Sequence, residues 1–188
     1  MTIANDVKHV AVVGTGLIGA SWAAYFLSKG LEVSASDPAP DAESALRRAV
    51  EKAWPVLERL GTAGGVPIDR LRFSPDIPAA LEGVQFVQES GPEREPIKIS
   101  LFREIDAVLP REVTIASSSS GLLISNLQSR CRFPERCVIG HPFNPPHLIP
   151  LVEVVGGART AQEAVDGAMA FYRGVGKWPI RLNMEVKG

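Results

Sequence analysis

Short apolar runs alternate with amphipathic stretches from the first residues of the chain onward. Residues 7–13 are mostly apolar and lead into a glycine, which is typical of a strand covered on both faces of a parallel sheet. Residues 17–29 carry apolar side chains at helical spacing and stop at Gly30, a residue that favours the end of a helix. Residues 32–36 predict a second strand that ends at Asp37. The chain therefore opens with a predicted strand–helix–strand unit.

The same alternation continues to the end of the chain. Residues 41–60 predict a long helix that Pro55 should kink or interrupt, and the glycine-rich residues 61–70 predict a loop. Further strands are predicted at 84–88, 113–116, 137–140, 151–155 and 178–182, and further helices at 96–108, 124–127 and 161–173. This alternation predicts an α/β fold, a Rossmann-like doubly wound and mainly parallel sheet with right-handed crossovers, and we expect one domain over residues 1–188. The proline-rich residues 141–150 predict a loop at the carboxyl end of a strand, where such sheets bind ligands.

Composition and charge exclude several classes of function. The 188 residues are 45% hydrophobic, with 20 basic and 21 acidic side chains and no basic run, so we expect no nucleic-acid partner. The longest apolar runs are too short to span a bilayer, and Asp6 and Lys8 stand where a signal peptide would be apolar. Two cysteines, Cys131 and Cys137, match no metal or redox motif and fit a reducing compartment, so we expect buried thiols and a cytoplasmic location.

A glycine-rich turn joins the first predicted strand to the first predicted helix. A GxGxxG turn alone is a weak signal, but this one follows a strand, opens a helix and has Asp37 18 positions beyond its last glycine. The first glycine permits the tight turn, the second lets backbone approach a pyrophosphate, and the third lets helix and strand pack closely. The helix N-terminus offers free N–H groups and a positive dipole to phosphates. The predicted cofactor-binding residues here are Gly14, Thr15, Gly16, Leu17, Ile18 and Gly19.

Asp37 predicts NAD as the cofactor rather than NADP. At the end of the second strand its carboxylate would accept hydrogen bonds from the ribose hydroxyls of the adenosine and repel the additional phosphate of NADP. Residues 38–40 read Pro-Ala-Pro and offer no arginine for that phosphate. FAD shares the same fingerprint, and the second half of the chain argues against it.

Three later segments carry the remaining candidate chemistry. Residues 84–98 read VQFVQESGPEREPIK, residues 115–122 read IASSSSGL, and residues 140–157 read GHPFNPPHLIPLVEVVGG. Taken in order after the glycine turn, they resemble the NAD-binding domain of the 3-hydroxyacyl-CoA dehydrogenase family over essentially residues 7–188. The exact residues of these segments resemble the subgroup that holds L-carnitine 3-dehydrogenase and lambda-crystallin, an L-gulonate 3-dehydrogenase.

The resemblance implies a role for seven further residues. His141 matches the family's catalytic histidine and Glu153, 12 residues later, the carboxylate that pairs with it. A neutral imidazole, with an unperturbed pKa of about 6.5, can take a hydroxyl proton while a carboxylate fixes its tautomer. Ser118 stands where acyl-CoA members usually have an asparagine near the nicotinamide, which weakens the case for a CoA thioester. The other matches are Ser120 and Asn144 at the substrate oxygen, and Glu93 and Lys98 near the nicotinamide ribose and phosphates.

Plainer interpretations stay open for several of these residues. Glu153 lies in an apolar strand and needs a partner, for which Arg159 competes with His141. The serine run is equally consistent with a polar loop that caps a helix. A metal site at His141 and His147 is disfavoured because no Cys or Asp cluster is nearby, and we expect no metal. Core contacts explain one further group better than a stacking platform does: Trp22, Tyr25 and Phe26.

The resemblance predicts NAD-dependent oxidation of the C3 hydroxyl of a small 3-hydroxy acid, such as L-carnitine or L-gulonate. A 3-hydroxyacyl-CoA dehydrogenase and a non-catalytic NAD-binding or structural module are the alternatives. In the family an all-helical C-terminal domain closes the substrate pocket and carries most of the dimer interface, and we expect it to be absent from these 188 residues. We therefore expect a homodimer in the full-length form. We also expect the 188 residues alone to bind NAD(H) but to turn over substrate poorly.

Overall fold

The structure is a computed structural model that describes residues 7–61 and 67–185, and one eight-stranded sheet with helices on both faces accounts for most of these residues. The strands are β1 His9–Val13, β2 Glu32–Ser36, β3 Leu71–Phe73, β4 Phe86–Glu89, β5 Thr114–Ser117, β6 Cys137–Pro142, β7 Leu151–Gly156 and β8 Trp178–Arg181. The helices are α1 Leu17–Ser28, α2 Ala42–Arg59, α3 Ile77–Ala80, α4 Glu95–Val108, α5 Ile124–Leu127 and α6 Gln162–Gly174. Short 3₁₀ turns occupy Ile68–Arg70, Gln128–Arg130 and Pro134–Arg136.

The strand order is β3-β2-β1-β4-β5-β6-β7-β8. Every neighbouring pair is parallel except β6 and β7, which are antiparallel. The chain moves outward from β1 through β2 to β3, then returns to β4 on the other side of β1. This reversal opens a crevice at the carboxyl ends of β1 and β4, where doubly wound sheets bind ligands. The predicted Rossmann-like, mainly parallel fold is confirmed.

Helices cover both faces of the sheet. Within β1, Val10 and Val12 join the core formed with α1, α2 and α6, whereas Ala11 and Val13 join the core on the opposite face. All four side chains are buried, as expected for a strand covered on both sides. The three aromatic residues of α1 lie in the first core, and the rings of Trp22 and Phe26 stack with their centroids 5.0 Å apart.

The other predicted strands and helices are present, with boundaries shifted by at most two residues, but several details differ, among them the short helix α3, which was not predicted. Helix α2 is not interrupted at Pro55, because its buried stripe includes Trp54 before the proline and Leu57 after it, and tertiary packing sustains the last turn. Within the predicted 61–70 loop, residues 62–66 lie outside the described residues. Strand β3 was missed because three residues at a sheet edge leave no periodic pattern.

The last difference concerns the proline-rich segment. Strand β6 continues through Pro142, so His141 is a strand residue and the loop begins at Phe143. The reason is the antiparallel partner, since the ladder with β7 extends as far as Pro142. None of the helices in the described part of the chain has the length and apolar composition needed to cross a membrane.

Candidate active site

The glycine turn after β1 has no room for side chains at two of its positions. Gly14 has φ +88°, and a Cβ there would lie 2.6 Å from the backbone nitrogen of Gly91. A Cβ at Gly19 would lie 1.8 Å from the carbonyl oxygen of Gly14. The backbone N–H of Gly14 donates to the carbonyl of Ser36 at 2.8 Å, which joins the turn to the end of β2. The first glycine therefore permits the turn and the third permits close packing, as predicted.

Gly16 differs because a Cβ there would meet nothing within 4 Å. It is the residue before α1, no side chain caps the helix, and no acidic side chain stands in its first turn. The free N–H groups of the helix therefore open toward space that a pyrophosphate would fill. Leu17 is 74% exposed beside this opening, while Ile18 lines the adjoining cleft. The residues present thus fit the phosphates of a dinucleotide.

Asp37 closes the same turn from the end of β2. Its Oδ2 accepts hydrogen bonds from the backbone N–H of Thr15 at 2.8 Å and from the Thr15 hydroxyl at 3.2 Å. The carboxylate also lines a cavity of about 640 Å³ beside β2. Among the described residues that line this cavity, the one arginine, Arg47, is bound to Glu43 at 2.7 Å. The cavity is therefore acidic, which disfavours the additional phosphate of NADP.

A cleft of about 310 Å³ opens at the carboxyl edge of the central strands. It brings cofactor-side and substrate-side candidates together, although they come from widely separated segments. His141 and Ser120 line both this cleft and a second one beside it, while Glu153 lines only the second. Thr15, Leu17 and Asp37 lie outside the first cleft. The predicted residues that line the first cleft are Ile18, Glu93, Lys98, Ser118, Ser120, His141 and Asn144.

His141 and Glu153 form a pair across the antiparallel strands. They are direct partners in the β6–β7 register, and the Nδ1 atom of His141 lies 2.9 Å from Oε2 of Glu153. An ionised carboxylate can only accept, so the ring hydrogen lies on Nδ1 and Nε2 carries the lone pair. Arg159 instead donates to the carbonyl of Gln128 at 2.6 Å. The partner that Glu153 requires is therefore His141.

The serine run is held by Glu93. Oε1 of Glu93 accepts hydrogen bonds from the Ser119 hydroxyl and from the backbone N–H groups of Ser120 at 3.1 Å and Gly121 at 3.2 Å. The Ser118 hydroxyl accepts from the amide of Gln88 at 2.8 Å. Ser120 is exposed at the cleft. The run thus forms a bonded polar loop and also presents one serine to the cleft.

Lys98 lies in a buried ion pair with a residue that the sequence had not singled out, Glu89. The Nζ atom of Lys98 is 2.7 and 2.9 Å from the two carboxylate oxygens of Glu89, and 3.7 Å from Glu93. Both partners are at most 1% exposed, and Glu89 also accepts from the Ser117 hydroxyl at 2.5 Å. The charge of Lys98 is therefore largely balanced within the protein. A carboxylate at the end of a strand that is buried throughout, 86–89, was the available signal.

A buried network of hydrogen bonds reaches the backbone next to His141. The Tyr172 hydroxyl donates to Oε1 of Gln88 at 2.6 Å, and the amide nitrogen of Gln88 donates to the carbonyl of Gly140 at 3.3 Å. Burial raises the pKa of Tyr172, so its hydroxyl stays a donor. A Cβ at Gly140 would lie 2.0 Å from that hydroxyl, so the residue before His141 must be glycine for this packing.

The second cleft, of about 320 Å³, is apolar with acidic walls. Its apolar lining includes Leu122, Ile139 and Leu182, and its acidic residues are Glu153 and Glu185. Glu185 also accepts from the backbone N–H of Ser125 at 2.8 Å. Among the described residues that line this cleft there is no lysine or arginine.

The described residues contain no group of three potential metal ligands. The Nδ1 atom of His147 lies 2.7 Å from the Ser21 hydroxyl, whereas His141 is bonded to Glu153. Cys131 and Cys137 are free and buried, with their sulfur atoms 4.0 Å apart, and the predicted packing role is confirmed.

Comparison with known proteins identifies the family. The family model described as 3-hydroxyacyl-CoA dehydrogenase, NAD binding domain, matches residues 9–185. The chain belongs to this family.

Relatives of this NAD-binding domain have names that agree with the subgroup predicted from the sequence. The chain is 52% identical to L-carnitine dehydrogenase of Streptomyces coelicolor over 188 residues, covering 100% of this chain and 59% of the relative. It is 52% identical to L-carnitine dehydrogenase of Streptomyces griseus subsp. griseus, covering 98% of this chain and 55% of the relative. The chain therefore spans a little over half the length of these two relatives.

A solved structure repeats the fold of this family member. The chain superposes on 5-formyl-3-hydroxy-2-methylpyridine 4-carboxylic acid 5-dehydrogenase, described as an NAD⁺-dependent dismutase, with a TM-score of 0.89 and 35% identity. The match covers 97% of this chain and 59% of that one. The predicted family, fold class and NAD cofactor are thus confirmed.

Proposed function

We propose that the protein containing this chain oxidises the C3 hydroxyl of a small 3-hydroxy acid in an NAD-dependent reaction, with L-carnitine as the first candidate substrate. The observation that carries this proposal is the His141–Glu153 pair, whose histidine lines the same cleft as Ile18 of the cofactor turn. The names of relatives that are 52% identical support L-carnitine.

Each proposed role follows from the chemistry of the side chain. Bound NAD supplies the hydride acceptor. His141 takes the hydroxyl proton on Nε2, while Glu153 accepts from Nδ1–H and stabilises the imidazolium that results. Ser120 donates to the substrate oxygen and Asn144 binds it from the same cleft. The substrate loses a proton and a hydride, and becomes a ketone.

The proposed cofactor contacts begin at the helix N-terminus. The backbone N–H groups that follow Gly16 hold the pyrophosphate, and Asp37 binds the adenosine ribose. Glu93, Lys98 and Ser118 face the cleft where the nicotinamide half would lie. Because Lys98 is paired with Glu89, we expect it to contribute a donor and to keep the site close to neutral.

The charge of the second cleft supports a cationic substrate. Glu153 and Glu185 line it, and no lysine or arginine does so among the described residues. Carnitine carries a quaternary ammonium group, whereas a CoA thioester carries several phosphates. An apolar cleft with acidic walls favours the former through electrostatic complementarity.

We further propose that residues 1–188 form one NAD-binding domain and that the full-length protein is a homodimer that acts on a small molecule. The two free thiols are consistent with a reducing, cytoplasmic location. As in the sequence-based expectation, the chain alone should bind NADH and turn over substrate poorly, because its clefts are open on one side.

NADH formation by the full-length protein with L-carnitine, L-gulonate and 3-hydroxybutyryl-CoA tests the proposal. We expect the highest kcat/KM with L-carnitine and a kcat that is lower by about 10²–10⁴-fold in the matched His141→Gln protein. A higher kcat/KM with the CoA thioester would overturn the proposed substrate. Tight NADH binding without turnover of any of the three would instead indicate a non-catalytic module.

A further inference from the structure

The loop that carries Asn144 rests on a buried lysine. Lys177 lies between α6 and β8 and is 3% exposed. Its amino group donates to the backbone carbonyl of Pro146 and, at 2.9 Å, to that of Ile149. Both carbonyls belong to residues 143–150, which we call the substrate loop. The Lys177 side chain thus bonds two carbonyl groups of the substrate loop, those of Pro146 and Ile149.

The surroundings of Lys177 are unusual for a buried cation. Its Nζ atom lies 3.7 Å from the ring centroid of Tyr25 and 5.2 Å from that of Trp22. No carboxylate forms an ion pair with it among the described residues, and the charged residue that affects its pKa, Lys29, is also a cation. Burial, with a smaller effect from Lys29, lowers the pKa of Lys177 to about 7. Burial of an amine without a counter-ion costs free energy. For Lys177, the contacts that offset this cost are the two carbonyls and the aromatic rings.

A second contact joins the same loop to the same helix. The hydroxyl of Ser21 accepts from the backbone N–H of His147 at 2.9 Å and lies 2.7 Å from its Nδ1 atom. Ser21, Trp22 and Tyr25 belong to α1, the helix that begins directly after Gly16. The substrate loop is therefore attached to the helix that presents the phosphate-binding N–H groups.

We propose that Lys177 is a positioning residue that holds the substrate loop against α1, so that Asn144 faces the cleft beside His141. The inference rests on the proposed function, since that function assigns Asn144 to the substrate. An amine has at least two N–H donors whether protonated or neutral, so both carbonyls stay bound across the titration of Lys177. Removal of the Lys177 side chain should therefore release the loop, whereas loss of its charge alone should not.

Lys177→Met removes both donors while keeping a long apolar stem, and Lys29→Met is the matched control. Lys29 is exposed and lies 5.1 Å from the Tyr25 ring, but it does not hold the loop. Hydrogen exchange of the backbone amides of Phe143, His147, Leu148 and Ile149 measures the loop directly. We expect exchange in Lys177→Met to be about 10-fold faster or more, with little change in α1. Lys29→Met should match the unsubstituted protein.

Kinetics of the full-length protein separate positioning from general stability. For Lys177→Met we expect kcat/KM for the hydroxy acid to fall by about 10-fold or more, with the NADH dissociation constant within about twofold. Lys177→Arg, which keeps the donors, should recover part of the loss. An equal weakening of NADH binding, or loop exchange within about twofold of the unsubstituted protein, would overturn the proposal.

Ser21→Ala provides a second route to the same answer if Lys177→Met does not fold. It removes the other attachment of the loop, and we expect faster exchange at His147 with the rest of α1 unchanged. Unchanged exchange at His147 would contradict the attachment. If the unsubstituted protein oxidises no hydroxy acid, the proposed function fails, and the exchange measurements still decide whether Lys177 holds the loop.

Discussion

The cofactor turn and the His141–Glu153 pair lie at the same edge of the sheet but are built in different ways. The turn is made of backbone, and its specificity comes from the side chains that are absent at Gly14, Gly16 and Gly19. The pair is made of side chains that meet because β6 and β7 run antiparallel in one register. Local sequence determines the first region, and tertiary pairing determines the second.

This difference separates binding from chemistry. Substitutions in the turn should change cofactor affinity or the fold itself, because an added side chain there would meet backbone atoms or enter the space left for the cofactor. Substitutions in the pair should change turnover and leave the fold and the cofactor affinity nearly intact, because both side chains are partly exposed at 23% and 29%. The predictions below test that separation.

The largest effect is expected at Gly19. A Cβ in Gly19→Ala would lie 1.8 Å from the carbonyl oxygen of Gly14, so backbone must move and the turn cannot close as it does now. We expect loss of soluble folded protein or a fall in the free energy of unfolding of about 3 kcal/mol or more. Urea unfolding followed by circular dichroism measures it, with Gly167→Ala as control, because a Cβ there meets nothing within 4 Å.

Removal of the proposed base should be the largest purely kinetic effect. His141→Gln should lower kcat by about 10²–10⁴-fold, because no other imidazole reaches the cleft lining. The unfolding transition should stay close to that of the unsubstituted protein. His147→Gln is the control on the neighbouring loop, and a loss of kcat as large as that of His141→Gln would contradict the assignment.

The carboxylate partner should matter less than the base. In Glu153→Gln the amide no longer enforces hydrogen on Nδ1, so a fraction of the imidazole carries its lone pair on the wrong nitrogen. We expect kcat to fall by roughly 10²-fold, with cofactor affinity unchanged. Steady-state rates over a range of pH check this. Glu163→Gln, an exposed residue of α6, is the control.

A smaller change should follow loss of the acidic charge at the adenosine end. Asp37→Asn keeps an oxygen that can accept from Thr15 and removes the charge that opposes the phosphate of NADP. We expect the preference for NAD over NADP to narrow by about 10-fold. Dissociation constants for NADH and NADPH measure it. An equal narrowing in Asp41→Asn would show that the general charge of the cavity, and not Asp37, sets the preference.

The smallest effect, counted over one pH unit, is a pH dependence at Lys177. Its pKa is about 7 in the folded chain, from an ordinary value of 10.5, so the unfolded chain binds more protons between these values. The free energy of unfolding of the unsubstituted protein should therefore rise relative to Lys177→Met as pH increases above about 7, by roughly 1 kcal/mol per pH unit. Urea unfolding of both proteins at neutral and alkaline pH gives the difference. A constant difference would contradict the lowered pKa.

The two regions also differ in how far the sequence predicted them. The turn, Asp37 and most helix and strand positions follow from contiguous patterns, so the structure repeats them closely. Glu89 and Lys177 were missed because their meaning lies in partners far along the chain, at Lys98 and at the substrate loop. The antiparallel direction of β7 relative to β6 was not predicted either. The apolar pattern of a short strand is the same whichever way the strand runs in the sheet.

The pairing of His141 with Glu153 was predicted from a family resemblance and not from spacing. A separation of 12 residues fits a hairpin, a helix or no contact at all, and Arg159 was a nearby rival of His141 for the carboxylate on sequence grounds. The structure decided between them through the strand register and a distance of 2.9 Å.

Paired measurements on Gly16→Val and His141→Gln test the separation of binding from chemistry most directly. The Cβ of Gly16→Val would enter the open space before α1 without touching protein, so the fold should persist while NADH binding weakens by about 10-fold or more. His141→Gln should show the reverse, with NADH affinity within about twofold and turnover of L-carnitine lost. The contradicting result is a His141→Gln protein that loses NADH affinity as strongly as Gly16→Val, or that keeps near-normal turnover.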